Sequence, residues 1–370
     1  MKETALTTAL ARVASVPFRL FGRSTFMAPR KAVILKPCCL SQAMLTTPLL
    51  AALSEAYPRA QFDWVVQDYA RPAVASNVRL SELVDAGRVG LPEATMDDVR
   101  ELARRLRQQG YDTCFIPSDS AVLALVAWLA RIRQRVGLSG GGRGFAHTLP
   151  VKAPPGERHT AAIYLSLARV LGIEAPGHME FFARDDDRAA MTQLLVDEAS
   201  WLGDVPLVLL HPGGGHNPVQ TDERKRWPVE RFALLANYLL RRHEARILLV
   251  GAEADRPAAR AVAGMTSGPS LNLAGQLNLG EVGALCEVAS LYVGNDTGPT
   301  HVAAAVGCAT LAIFGPSDPA VSAPYATKGH VAVLQHEGDA PFSWENTALP
   351  HEAIEAAEHL LQGAAGEGRG

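Results

Sequence analysis

Within Leu291 to Pro316 (LYVGNDTGPTHVAAAVGCATLAIFGP), Asp296, Thr297, Gly298, Thr300 and His301 crowd into one short stretch. The apolar run Leu291 to Gly294 precedes them. Pro299 suits the first turn of a helix through Val302, Ala305 and Val306, which Gly307 closes. The cluster therefore falls where a parallel strand ends and a helix begins. Backbone N–H groups and the helix dipole favour an anion there, such as a diphosphate. Asp and Thr are also good helix caps, so a purely structural capping role is the competing reading.

A second polar cluster lies upstream. Leu207-Val-Leu-Leu-His-Pro-Gly-Gly-Gly215 reads as a strand entering a glycine turn, in which Gly213 and Gly214 allow close approach to the backbone. Lys225-Arg226-Trp227-Pro228 follows, just before a helix. A cation is badly placed at a helix N-terminus unless an anion lies between them, which argues for a phosphate beside Lys225; a solvated charge pair is the alternative. Trp227 reads as core. Glu253 and Asp255 follow the next strand, where an acid either binds a ribose hydroxyl or caps the next helix. Gly275-Gln276-Leu277 offers a backbone wall for a nucleobase. Four loops, 211–225, 251–255, 275–279 and 295–301, thus belong to one sheet edge and describe a nucleotide diphosphate site.

The elements that must position these loops alternate along the chain. Strands are expected at Ala32–Leu35, Gln61–Val66, Thr113–Ile116 and Arg135–Gly137, with helices over Ser41–Tyr57, Met96–Gln109, Ala121–Arg131 and His159–Leu171. The acidic run 184–188 caps a helix reaching about Ala199. Strands at Leu207–Leu210, Arg246–Val250, Ser270–Leu273 and Thr310–Phe314 then alternate with further helices, the last being His351–Leu361. Short apolar runs between longer helical patterns indicate parallel sheets covered on both faces. Ser139-Gly-Gly-Gly-Arg-Gly144 lacks a P-loop ending and is either an acceptor-side loop or a plain linker.

With 370 residues the chain has room for two domains. The net charge of −3 gives no general pull toward nucleic acid. The longest apolar run, Ala121 to Ala130, is too short to cross a bilayer. Five cysteines, odd in number and on or beside apolar stretches, suggest a reduced, cytoplasmic protein. Residues 1–30 stand apart: Lys2, Arg12, Arg19, Arg23 and Arg30 face the single acid Glu3, with apolar residues at helical spacing. A peripheral helix on an anionic membrane surface and an unstructured tail are both compatible with that composition. The absence of G-x-G-x-x-G after the first strand, where Lys36-Pro-Cys-Cys stands, argues against a nicotinamide-dependent dehydrogenase.

The HPGGG turn, KRWP, LLVGAEAD and the stretch LAGQLNLGEVGALCEVASLYVGNDTGPTHVAAAVGCATLAIFGPSDP resemble the donor half of glycosyltransferase family 9, the heptosyltransferases of lipopolysaccharide core assembly and their relatives. KAVILKPCCLSQAMLTTPLLAALSEAYPRAQFDWVV is similar to the family's opening pattern, so the likeness spans roughly residues 31 to 325. It implies a GT-B architecture, two Rossmann-like doubly wound parallel-sheet domains facing a cleft. The expected division is a basic segment 1–30, an acceptor-side domain 31–184, a donor-binding domain 185–345 and a C-terminal helix and tail 346–370, that helix packing back on the first domain.

The same likeness implies a nucleotide-sugar donor, a glycan or lipid-linked acceptor, and no essential metal or other cofactor. By position Lys225 resembles the family's diphosphate-binding lysine. Asp296, Thr297, Gly298 and His301 resemble its phosphate loop, with Glu253 or Asp255 near its ribose-binding acid. The reaction implied is transfer with inversion, in which Lys225, the 297–301 helix start and His301 stabilise the departing diphosphate. One departure stands out. Where the family usually has Gly-Asp, this chain has Ser41-Gln42, and Gln42 can orient a hydroxyl but not deprotonate it. Either Asp68, Asp119, His159 or His216 serves as base, or the chain is a catalytically impaired nucleotide-sugar-binding protein.

Overall fold

The computed structural model describes residues 26–174, 177–215, 217, 219, 221–325, 329–336 and 341–367. The chain divides into two compact units, Met1–Gly177 and His178–Gly370. Most of the basic N-terminal segment, residues 1–25, lies outside the described residues.

The first unit runs β1 (Lys31–Leu35), α1 (Leu40–Met44), α2 (Thr47–Ala56), β2 (Gln61–Val66), β3 (Glu82–Asp85), α3 (Met96–Gln109), β4 (Thr113–Ile116), α4 (Ala121–Leu129), β5 (Gln134–Leu138), β6 (Leu149–Val151) and α5 (Thr160–Arg169). All strand pairs are parallel, in the order β3-β2-β1-β4-β5-β6. Ala32, Val33, Ile34 and Leu35 are fully buried, as a central strand covered on both faces requires. Thr95 and Asp98 form a reciprocal cap at the start of α3, whose Val99, Leu102 and Leu106 turn inward.

The single helix expected over 41–57 is two. A helix through Pro48 has no N–H at that position to reach the Met44 carbonyl. The Thr47 hydroxyl donates to that carbonyl instead (2.7 Å), and the Thr46 hydroxyl donates to the Gln42 carbonyl (2.7 Å). The strands of this unit that went unread, β3 and β6, are the two edges of its sheet and are short and half-exposed, so they lack the apolar signature of a central strand.

The second unit runs α6 (Asp185–Asp197), β7 (Leu207–His211), α7 (Val229–His243), β8 (Arg246–Leu249), α8 (Arg256–Met265), β9 (Ser270–Asn272), α9 (Leu279–Val288), β10 (Leu291–Asn295), α10 (Gly298–Val306), β11 (Thr310–Ile313), α11 (Pro319–Ser322), β12 (Val331–Leu334) and α12 (Pro350–Glu367). Its parallel strands take the order β12-β11-β10-β7-β8-β9. Counted within each unit, both sheets have the order 3-2-1-4-5-6 of a doubly wound fold.

The final helix packs against the sheet of the second unit. Ala353, Ala357 and Leu360 of α12 are buried in the core made by α7 and the strands β7, β8, β10 and β11. Glu358 ties the helix to Tyr238 (2.9 Å) and His243 (2.6 Å) of α7. The apolar stripe of α12 thus completes the cover of its own sheet. The cysteines also differ from expectation: Cys38 and Cys39 are joined in a disulfide between adjacent residues, while Cys114, Cys286 and Cys308 are buried free thiols. Among the described residues no helix is long and apolar enough to cross a membrane.

Candidate functional site

In a sheet of this order the chain reverses direction between its first and fourth strands, and the loops leaving those strands diverge to open a crevice. In the second unit those strands are β7 and β10, which pair directly. The glycine turn leaves β7 and the Asp296–His301 stretch leaves β10, so the two polar clusters meet at the switch point.

Asn295 joins them. Its side chain, fully buried, donates to the Gly213 carbonyl (2.8 Å) and accepts from the Trp227 amide (2.9 Å). Arg226 adds a bond from its guanidinium to the Gly214 carbonyl (2.9 Å). Trp227 is core, as expected, with its ring N–H donating to the Ala348 carbonyl (2.8 Å). Lys225, at the end of a short 3-10 turn (Glu223–Lys225), reaches Asp296 with Nζ 2.6 Å from Oδ2. The Asp296 side chain is 5% exposed and that of Lys225 27%, so the lysine forms the accessible side of the pair.

Neither expected cap caps α10. Asp296 turns to Lys225. The Thr297 hydroxyl lies 3.3 Å from that of Thr300 and 3.4 Å from His211 Nδ1, and Thr297, at the N-cap position, makes no side-chain capping bond. Thr300 donates its hydroxyl to the Asn295 carbonyl (2.5 Å), which holds the loop against β10. Thr297, Thr300 and His301 are buried, so their side chains are largely withdrawn from the surface of the loop.

The two acids left open by the sequence have different surroundings. Asp255 is buried. It accepts from the Gly214 amide (2.9 Å) and the Ala252 amide (2.9 Å), and contacts His211 Nε2 (3.3 Å). Burial alone would raise its pKa, but the His211 contact and the two amides outweigh that and hold the carboxyl well below the usual range. Glu253 stays 71% exposed and pairs with Arg256 at 2.9 Å. The glycines answer to these neighbours. A Cβ on Gly213 would sit 2.0 Å from the Asp255 carboxyl carbon. One on Gly214, whose φ is +103°, would sit 2.2 Å from the Thr297 methyl.

His211, Asn295 and Arg226 were therefore missed as parts of the site, though each stands inside a motif already singled out. The candidate bases of the first unit are dispersed. Asp68 is 89% exposed beside Arg71. Asp119 accepts from the Gly140 amide (2.8 Å) and pairs with Arg143 of the glycine loop. His159 caps α5 through Nδ1 and the Ala161 amide (3.3 Å). His216 lies outside the described residues.

The family model of glycosyltransferase family 9 (heptosyltransferase) matches residues 99–351, more than half of the chain. The chain belongs to glycosyltransferase family 9. Among curated relatives of this family 9 enzyme, lipopolysaccharide heptosyltransferase 2 of Salmonella typhimurium is 26% identical over 314 residues, 82% of this chain and 88% of that protein. A family 9 glycosyl transferase from Veillonella parvula superposes with a TM-score of 0.81 at 22% identity, covering 92% of this chain and 99% of that one. The E. coli ADP-heptose lps heptosyltransferase II gives 0.72 at 22% identity, covering 90% and 98%. The two Rossmann-like sheets are those of the GT-B architecture.

Proposed function

We propose that this family 9 glycosyltransferase moves a heptose-type sugar, with inversion, from an ADP-activated donor to a lipopolysaccharide core or similar cell-envelope acceptor. The observation that carries the reading is the α10 start: a helix N-terminus without a side-chain cap at the switch point, with Lys225 standing over the adjacent Asp296. The relatives' names supply the donor and acceptor classes. An acceptor hydroxyl attacks the anomeric carbon as the bond to the diphosphate breaks. Charge then grows on the diphosphate oxygens, and Lys225 and the α10 backbone amides are placed to hold it. Asp296 holds Lys225 in place through their ion pair in the free enzyme. His301, buried behind the first turn, supports the loop, and Glu253 is the acid left to meet a ribose. The basic residues of 1–30 suit the anionic inner face of the membrane, where a lipid-linked acceptor would be met.

Titrating ADP, UDP, GDP and dTDP by calorimetry tests the donor site. ADP is expected to bind best. Because the hydrogen bond lost in Lys225→Ala is charge-assisted, ADP affinity should fall roughly tenfold to a hundredfold. Unchanged affinity and turnover in Lys225→Ala would sink the assignment. A second reading is favoured by Gln42, whose carbonyl oxygen accepts from the Tyr164 hydroxyl (2.5 Å) and is thus turned away from any substrate. On that reading the protein binds nucleotide sugars without transferring them, and ADP binding without turnover would select it.

A further inference from the structure

The first sheet has its own switch point, between β1 and β4. Lys36 leaves the end of β1 and bridges it: Nζ donates to the Pro117 carbonyl beyond β4 (3.4 Å) and to the Tyr164 hydroxyl of α5 (2.6 Å). The Tyr164 hydroxyl in turn donates to Gln42 Oε1. Lys36 is 8% exposed, and its ammonium lies 4.6 Å from the Tyr164 ring centre. Beside it is a cavity of about 220 Å3 lined by Lys36, Cys38, Leu91, Ser118 and Ser120. Lys36 and Gln42 are thus linked through the distant Tyr164 in one hydrogen-bonded chain, ending at the position where the family resemblance implies an acid.

The directions of these bonds belong to a charged lysine. An ammonium can only donate, so the Tyr164 hydroxyl is donated onward to Gln42 Oε1, which aims the amide carbonyl inward at Tyr164. A neutral amine has a lone pair. It can accept a hydrogen bond from the Tyr164 hydroxyl, whose oxygen then accepts an N–H of Gln42 after a half-turn of the amide, and the Gln42 carbonyl faces outward.

We propose that Lys36 and Tyr164 are positioning residues that set the polarity of Gln42, neutral Lys36 turning the amide carbonyl toward the acceptor hydroxyl and charged Lys36 turning it away. The inference rests on the reading that the enzyme transfers a sugar to a hydroxyl held beside Gln42. Gln42 then orients a lone pair of the acceptor oxygen toward the anomeric carbon. As the new C–O bond forms and the sugar–diphosphate bond breaks, the hydroxyl proton passes to water.

The surroundings of Lys36 place the change of state in the working range. Burial brings the ammonium down to about 7. Tyr164 is held protonated by its own burial. Asp119, beyond Pro117, is committed to Gly140 and Arg143, and Glu93, next to the cavity-lining Ala94, is exposed. Among the described residues no carboxylate pairs with Lys36. Transfer therefore gains as pH rises through about 7.

The test is the pH profile of transfer from ADP-heptose to heptose-deficient lipopolysaccharide core, from about pH 5.5 to about 8.5, with ADP affinity measured in parallel. The wild type should show an inflection near 7, as Lys36 loses its proton. Lys36→Met and Tyr164→Phe should lose the inflection and about tenfold in kcat at the alkaline end, the value of one hydrogen bond, with ADP affinity unchanged. Gln42→Asp should move the inflection into the carboxylate range and make Lys36→Met silent when combined with it. An inflection that survives Lys36→Met or Tyr164→Phe overturns this inference alone. Should those variants fail to fold, an inflection that stays in place in Gln42→Asp overturns it equally. Absence of transfer by the wild type at every pH overturns the sugar-transfer reading and this inference with it.

Discussion

Asp255→Asn removes one charge and tests whether this carboxylate holds the glycine turn. Oδ1 accepts the Gly214 amide, while Oδ2 accepts the Ala252 amide and faces His211 Nε2. An asparagine fills the same volume, but its NH2 must replace one of the two oxygens. Either orientation sets a donor against a buried amide that also donates. Leaving one such group unpaired costs about 1–3 kcal/mol, and loss of the charge weakens the remaining bond further. A total near 3 kcal/mol corresponds to a fall of roughly 6–12 °C in the melting of a unit of this size.

The pH dependence gives a second reading of the same carboxylate. Its folded pKa lies below the unfolded value of about 3.9, so its stabilisation is complete above that value and is lost as pH falls toward the folded one. The gap between wild type and Asp255→Asn should therefore be constant above about pH 5 and narrow below about pH 4. Thermal melts of both proteins, following the transition of the second unit, provide the assay. Melting within a degree or so of wild type at neutral pH, or a gap that does not shrink in acid, would refute the reasoning.

Two further substitutions probe the packing around the site. Gly214→Ala forces a methyl group against Thr297 at a φ of +103°, so ADP affinity measured by calorimetry should drop roughly tenfold while the protein stays folded. Ala357→Glu places a carboxylate in the core beneath α12, where Ala357 is fully buried. Loss of several kcal/mol follows from an unpaired buried charge, and chemical denaturation should show the second unit's transition moved or abolished with the first unit's retained.

Local spacing carried the α/β alternation, the near-continuous apolar runs of the central strands and the two polar loops at strand ends. These are legible because helix and strand periods and turn residues act over a few neighbours. The GT-B expectation came instead from the resemblance to glycosyltransferase family 9, and both sheets repeat one winding order. Three of the four sheet-edge strands, β3, β6 and β12, went unread, because half-exposed edges lack the alternation or the buried run that marks a strand, whereas β9 was read. What tertiary structure alone decided is pairing between residues far apart in the chain. Glu253 and Asp255 are both acids after the same strand, and only the fold turns one outward to Arg256 and the other inward to His211 and Gly214. Lys225 meets Asp296 because β7 and β10 are neighbours, although the residues between them build two other strands. Lys36, Gln42 and Tyr164 become one hydrogen-bonded chain only when α5 is laid beside β1. A side chain's type limits which partners it can take, but its actual partner is set by the topology that brings them within bonding distance.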